Sequence, residues 1–305
     1  MKFKKTRVFY NAKSGTGSSL RRVQEAFSEH WKNTTEDLAW YFPTSPEESW
    51  AMVDHALEDG TDSIIIGGGD GTVASIGTRL IGTTVCIGVV PLGSGNGLAR
   101  HFSQSLDPEE AVEQLASATV REIDVGFVND LPFFVSASAA WDAAIVKAYD
   151  RSLLRGVGSY VLAGIYSFFD YVPKPVRIVV DECEIIDLDR PLLLTIGNLS
   201  GWGGGARIAK MADGSDGRLE LVAFRQQDAP VLLANISEVF NGGLVKLPRV
   251  IFRTFQTLRI ERTEAQPIQL DGELKEAPKT LEVTVQRAAI RILVPTKPRE
   301  LKFQN

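Results

Sequence analysis

Two stretches of this chain carry residues whose types and spacing can handle phosphate. Gly67-Gly68-Gly69-Asp70-Gly71-Thr72 follows the apolar run 64–66, and Pro91-Leu92-Gly93-Ser94-Gly95-Asn96-Gly97 follows the apolar run 85–90. Glycine admits positive φ and lets a backbone come within contact of a ligand. Each run empties toward an expected helix, whose unpaired N–H groups and positive dipole end attract phosphate. Two such loops point to one nucleotide cleft. Asp70 adds the chemistry: a carboxylate among phosphate-binding amides repels its ligand unless a divalent cation bridges them or a proton is taken up. The combination points to phosphoryl transfer. No Gly-Lys-Ser/Thr follows, so this is not a Walker A loop, and the dinucleotide fingerprint Gly-x-Gly-x-x-Gly is absent as well.

The elements that must position these loops alternate. The spacing predicts a short strand over 7–10 feeding a polar loop at 11–17. A helix follows, with Leu20, Val23, Phe27 and Trp31 on one face. Ser45-Pro46-Glu47-Glu48 is a helix start, with a capping serine, proline at the first helical position and glutamate closing a capping box. Trp50, Val53 and Leu57 then point inward, and the helix stops near Gly60. Asp107-Pro108-Glu109-Glu110 repeats that start ahead of Ala111, Val112 and Leu115. Continuous apolar runs at 64–66 and 85–90 are those of strands covered on both faces in a parallel sheet. This is an α/β layered domain, with ligands expected at the carboxyl ends of its strands.

After Asp124 the pattern changes. Strands are expected over 132–138, 176–180, 192–196, 219–224, 281–285 and 290–294, with helix over 142–172 and 230–240. In 281–286, Leu281, Val283 and Val285 alternate with Glu282, Thr284 and Gln286. A mostly antiparallel β-sandwich or flattened barrel is expected. Two motifs there are turn-like. Asp271-Gly272-Glu273 reads by itself as a hairpin turn. Asp213-Gly214-Ser215-Asp216-Gly217-Arg218 is a plain turn or an oxygen-rich cation loop, without the distal glutamate of an EF-hand.

Taken together, Gly68 to Thr72 and Pro91 to Asn96 resemble the catalytic domain shared by diacylglycerol kinases, sphingosine kinases and the soluble bacterial lipid kinases. Asn11-Ala12-Lys13-Ser14-Gly15, Ile123-Asp124-Val125-Gly126, Asp142-Ala143, Asn198 with Gly203-Gly204-Gly205, Asp216-Gly217 and Leu270-Asp271-Gly272-Glu273 extend the resemblance in the same order along nearly the whole chain. It implies a layered α/β first domain of the NAD-kinase and phosphofructokinase type over residues 1–124. A β-sandwich lipid-binding domain over 125–294 would follow, with 295–305 returning to the first. It also implies transfer of the γ-phosphoryl group of ATP to a lipid hydroxyl at an interdomain cleft, with Mg²⁺. Asn11, Ser14, Gly15, Thr44, Gly68, Gly69, Asp70, Gly71, Thr72, Ser94 and Asn96 would hold the nucleotide. Glu273 would be the general base, and Asp124 would join Asp70 in a carboxylate–cation network. A structural Mg²⁺ would sit at Asp213, Asp216 and Arg218. The chain departs from the pattern at Gly97, where relatives of the diacylglycerol kinases carry aspartate, at Ala140-Trp141 in place of Gly-Phe, and at Ala12 in place of proline. Gly97 removes a carboxylate from the proposed cation network.

Composition bounds the remainder. With 305 residues, 44% hydrophobic and 23% charged, the chain suits two ordinary globular domains. A net charge of −5 argues against a nucleic-acid partner. Lys2, Lys4, Lys5 and Arg7 read as a solvated strand end. The two cysteines are expected reduced, the three histidines show no metal spacing, and no signal peptide or transmembrane segment is expected. The expected location is the cytoplasm, with the lipid met at the inner face of the membrane. Some of Phe133, Phe134, Trp141, Tyr160, Phe168, Phe169 and Trp202 would line its cleft, and a homodimer is admitted but not required. Two other functions compete: an NAD-kinase-like enzyme, which shares Gly-Gly-Asp-Gly-Thr, and a catalytically silent nucleotide or lipid binder, suggested by Gly97.

Overall fold

The computed structural model describes residues 2–14, 19–141, 143, 171–201 and 206–296. The chain divides into two units, residues 1–123 with 288–305, and residues 124–287.

In the first unit, strands β1 (Phe3–Tyr10), β2 (Thr35–Tyr41), β3 (Ser63–Gly68) and β4 (Cys86–Pro91) form a parallel sheet in the order β2-β1-β3-β4. All six residues of β3 and of β4 are buried, as their unbroken apolar runs require of a sheet covered on both faces. Helices α1 (Ser19–His30), α2 (Pro46–Glu58), α3 (Asp70–Leu80), α4 (Gly97–His101) and α5 (Pro108–Ala116) alternate with the strands. The α1 face buries Val23 and Phe27, and Trp31 just beyond it donates its indole N–H to the Val112 carbonyl at 3.0 Å. The Ser45 hydroxyl caps α2 by accepting from the Glu48 N–H at 3.2 Å, and Asp107 caps α5 through the N–H groups of Glu109 and Glu110. The Glu48 carboxylate, however, reaches past Ser45 to the Thr44 N–H and hydroxyl, both at 2.7 Å. Edge strand β2 has no regular apolar alternation in Thr35–Tyr41 and is an addition to the expected elements. Three of the four N-terminal cations are ion-paired: Lys2 to Glu36, Lys5 to Asp59, and Arg7 to Asp37 and Asp59.

The second unit contains β5 (Thr119–Val128) from Asp124 onward, then β6 (Leu131–Phe133), β7 (Ser136–Ser138), β8 (Val176–Val180), β9 (Glu184–Leu188), β10 (Pro191–Gly197) and β11 (Leu219–Arg225). Short helices α6 (Ala229–Ala234) and α7 (Ile236–Asn241) follow, then β12 (Ile251–Phe255), β13 (Thr257–Arg262), β14 (Ile268–Leu270), β15 (Glu273–Lys275) and β16 (Thr280–Val294). One antiparallel sheet has the order β12-β11-β10-β7-β14-β15. The other runs β16-β13-β8-β9, with β5 pairing β16 and β6 pairing β5. Leu194, Ile196, Leu221 and Phe255 of the first sheet pack with Ile178, Ile260, Leu281 and Val283 of the second in one core, so the unit is a β-sandwich.

Several expectations change here. The run 132–138 is two strands in different sheets, because the Asp271 carboxylate captures the backbone between them. Phe133 and Phe134 are 0% and 1% exposed, so they are core and line no cleft. The two segments 281–285 and 290–294 form one strand, interrupted at Ala288 where φ is +48°. Beyond that residue Arg291 and Ile292 pair in parallel with Cys86 and Ile87 of β4. The return to the first unit therefore begins at Ala288, ahead of Pro295, because the apolar residues Ile290, Ile292 and Leu293 are buried there. Most of helix 142–172, with Tyr160, Phe168 and Phe169, together with Gly15, Asp142, Trp202 and Gly203-Gly204-Gly205, lies outside the described residues. Among the described residues no helix is long and apolar enough to cross a membrane.

Candidate functional site

In the first unit, β3 and β4 end side by side, with the Leu92 N–H donating to the Gly68 carbonyl at 3.0 Å. The two loops then touch. A Cβ on Gly93 would lie 2.6 Å from the Gly69 Cα, so only glycine permits the approach. Asn96 sits at φ +52° and closes the second loop on itself. Its Oδ1 accepts from the Gly93 N–H at 3.0 Å, and its Nδ2 donates to the Gly93 carbonyl at 2.7 Å. Asp70 opens α3, and its Oδ1 accepts the Gly97 N–H, the first amide of α4, at 2.7 Å. A side chain at Gly95 would overlap the other Asp70 oxygen. Burial beneath the loops pushes the Asp70 carboxyl up. The amides of Gly97 and Asn96 and the charge of Arg100 pull it back down.

The loop after β1 joins this arrangement. Asn11 Nδ2 donates to the Thr72 hydroxyl at 2.9 Å, and the Ser14 N–H donates to the Asn11 carbonyl at 3.0 Å. Lys13 Nζ bridges to the Thr44 carbonyl at 3.0 Å. Asn11, Ser14, Gly68, Gly69, Asp70, Gly71, Thr72, Ser94 and Asn96 thus gather at the carboxyl ends of β1, β3 and β4, with Ser94 exposed at the loop tip. Thr44 lies beyond the end of β2, its hydroxyl and N–H both engaged by Glu48. A nucleotide contact from that hydroxyl competes with the cap of α2.

The second unit holds the other candidates. Asp271 at φ +48° and Gly272 at φ +88° make the two-residue turn between β14 and β15. Glu273 opens β15, half-exposed and ion-paired to Lys275 at 2.9 Å. The Asp271 carboxylate is buried and accepts three backbone N–H groups, from Phe134 at 2.7 Å, Val135 at 2.8 Å and Ser136 at 3.0 Å. It anchors the turn that presents Glu273.

Asp124, which the resemblance pairs with Asp70, is buried in the second unit, where its Oδ2 accepts the Gly217 N–H at 2.7 Å. Its own N–H donates to the Gly214 carbonyl at 2.7 Å. Gly214 and Gly217 lie at φ +72° and +74°, which turns these groups toward Asp124. Asn198 Nδ2 donates to the carbonyls of Asp124 and Phe134, each at 2.8 Å. On the turn itself Asp213 accepts from the Ser215 hydroxyl, and Asp216 Oδ1 accepts from the Arg218 N–H at 2.9 Å. Asp213, Asp216 and Arg218 are all exposed. Close by is Glu220, 3% exposed, with Oε2 lacking any partner. Burial, reinforced by the charge of Asp216, pushes its carboxyl up to about 7. Among the described residues no three Asp, Glu, His or Cys side chains converge to hold a metal by themselves. The turn fits a hard cation completed by carbonyls and water, since its donors are all oxygens. Asp271 and Glu220 were not singled out by role from sequence. The signal for them is a charged residue within an apolar strand context, as in Leu219-Glu220-Leu221 and Leu270-Asp271.

Both parts of the chain match known families. Residues 5–128 match the diacylglycerol kinase catalytic domain, and residues 135–294 match the YegS C-terminal NAD kinase beta sandwich-like domain. A probable lipid kinase YegS-like protein of Chromohalobacter salexigens is 32% identical over 274 residues, covering 85% of each chain. A diacylglycerol kinase of Mycobacterium tuberculosis is 26% identical over 298 residues, 95% of each. A crystal structure of a putative diacylglycerol kinase from Bacillus anthracis superposes with a TM-score of 0.81 over 97% of this chain and 99% of that one, at 18% identity, which establishes likeness of fold. The chain belongs to the diacylglycerol kinase and YegS family of lipid kinases.

Proposed function

We propose that this lipid kinase transfers the γ-phosphoryl group of ATP to the hydroxyl of diacylglycerol or a related lipid. The observation that carries the reading is the contact of the two glycine loops at Gly69 and Gly93, with Asp70 beneath them. The first amides of α3, which have no intrahelical acceptor, suit phosphate oxygens, and Asn11 and Thr72 brace the rim. Asp70 offers the one carboxylate of these loops, which suits Mg²⁺, an ion that keeps several waters and takes few protein ligands alongside phosphates. When bound, the ion neutralises charge developing on the transferred group. Glu273 accepts the proton of the acceptor hydroxyl as its oxygen bonds to the γ-phosphorus. The bond from that phosphorus to the bridging oxygen breaks, and ADP leaves with the electron pair. Asp271 positions Glu273. Asp213, Asp216 and the Arg218 carbonyl would hold a second, structural cation, with Asp124 and Asn198 fixing the turn.

The test is transfer from labelled ATP to diacylglycerol dispersed in detergent micelles, with NAD as the competing acceptor. Lipid-dependent, Mg²⁺-dependent product supports the reading, whereas phosphorylation of NAD alone, or nucleotide binding without turnover, rejects it. For the second cation, excess Mg²⁺ raises the wild-type melting temperature by mass action, and Asp216→Ala loses that increment. Equal Mg²⁺ shifts in both proteins place the ion elsewhere.

A further inference from the structure

The sandwich sheet that carries Glu273 has one face in the core between the sheets. On its other face Leu192, Leu193, Val222 and Phe224 pack against Ile208, Ala209, Ala229, Leu232 and Leu244. Helices α6 and α7 cover that face with Ala229, Leu232 and Val239 turned inward. Their outward side is apolar too. Leu233, Ile236 and Phe240, spaced three and four residues apart, are 64%, 52% and 46% exposed. The segment ending at Met211, 63% exposed, borders them: the Arg207 N–H donates to the Val239 carbonyl at 2.7 Å, and the Lys210 stem lies across Gly242.

Charge selects the occupant. Lys210 and Lys246 are exposed at the edge of this face, and neither is ion-paired among the described residues. Two of the acids nearby, Glu238 and Asp228, are withdrawn from solvent, while Asp213 is exposed. Glu238 is half-buried with its carboxylate folded over Gly243, and Asp228 is 1% exposed and paired to Arg249 at 2.7 Å. Asp213, two residues past Met211, is engaged by Ser215. A chain of net charge −5 therefore presents here apolar side chains edged by two lysines that have no ion pair among the described residues. The four side chains expose on the order of 400 Å² of apolar surface, the size of a functional patch. That is about half the ~800 Å² a stable dimer takes from each partner. Apolar residues that enter the acyl boundary, with lysines reaching to the headgroups, are what an interfacial helix presents to an anionic bilayer.

We propose that the face formed by Leu233, Ile236, Phe240 and Met211, edged by Lys210 and Lys246, seats this protein on an anionic lipid bilayer. The proposal deepens the reading of the acceptor as a membrane lipid and rests on it. The N-terminal cations offer little to this purpose, since Glu36, Asp37 and Asp59 neutralise Lys2, Lys5 and Arg7 and leave Lys4 alone there.

The test is co-sedimentation of the full chain with phosphatidylcholine vesicles, with and without phosphatidylglycerol, at low and high salt. The wild type binds the anionic vesicles and is released by salt. The triple variant Leu233→Gln, Ile236→Gln, Phe240→Ser melts as the wild type does and loses binding at least tenfold. Lys210→Gln with Lys246→Gln weakens binding by about fivefold per cation and flattens the salt dependence. Both variants keep full transfer to a micelle-dispersed acceptor, since no residue of the phosphate loops or the Glu273 turn is touched. Wild-type vesicle binding by the triple variant overturns the proposal. So does a wild-type dimer that the triple variant dissociates, because the occupant is then a second copy. Vesicle binding that depends on these residues, without phosphorylation of any lipid, upholds the surface and overturns the acceptor reading instead.

Discussion

Asp271→Asn isolates the charge that holds the Glu273 turn. Asparagine is nearly isosteric and tolerates the φ of +48° found at this position, so backbone strain is not the perturbation. One oxygen becomes an NH₂ group. If the amide keeps its oxygen toward Val135 and Ser136, the Phe134 N–H, 2.7 Å from the other oxygen, faces a donor. A buried donor left unmatched costs about 1–3 kcal/mol, and the two surviving bonds lose their charge assistance at about 1 kcal/mol each. The sum is about 3–5 kcal/mol, which lowers the melting temperature of a unit this size by roughly 6–20 °C. Turnover falls further than stability alone requires, because the break between β6 and β7 and the β14–β15 turn share this anchor. A displacement of about 1 Å at Glu273 costs on the order of a hundredfold. The assays are thermal melting and steady-state lipid phosphorylation at a temperature where both proteins are folded. A shift under about 2 °C with unchanged kcat refutes the reasoning, since the hairpin is then held by its own turn.

Asp70→Ala abolishes transfer by on the order of a thousandfold or more. Near-normal turnover at saturating Mg²⁺ removes Asp70 from the chemistry. Glu273→Gln lowers kcat by about a hundredfold to ten-thousandfold while leaving the apparent ATP affinity in place, and a collapse of affinity with surviving turnover makes Glu273 a binding residue. Glu220 makes stability depend on pH. Its carboxyl is raised from 4.5 to about 7 in the fold, so between those values the unfolded chain has lost a proton that the folded one keeps. Stability therefore falls as pH rises through that window, by up to about 3 kcal/mol, and is fully reduced above it. In chelator-treated protein, urea midpoints from pH 4 to pH 8 show this slope, and Glu220→Gln lacks it; an identical slope in the variant assigns it to another group.

What the linear chain determined is local. Capping signals at Ser45 and Asp107 placed α2 and α5, and unbroken apolar runs placed β3 and β4, because burial on both faces demands apolar residues at every position. Gly69, Gly93 and Asn96 marked the two glycine-rich loops because close approach and positive φ restrict residue type. The alternation of Leu281, Val283 and Val285 marked one face of β16. Edge strand β2 escaped because its half-buried residues need no regular pattern, and the halves of β16 read as two strands because Ala288 breaks the alternation. Only the tertiary structure decided the partners of the buried charges. That Asp271 binds amides 135 to 137 residues away, that Asp124 closes on Gly217, and that Asp70 receives Gly97 are long-range choices. A carboxylate's neighbours in sequence do not say which distant N–H groups the fold will leave unpaired beside it, and burial makes it bind whichever ones arrive.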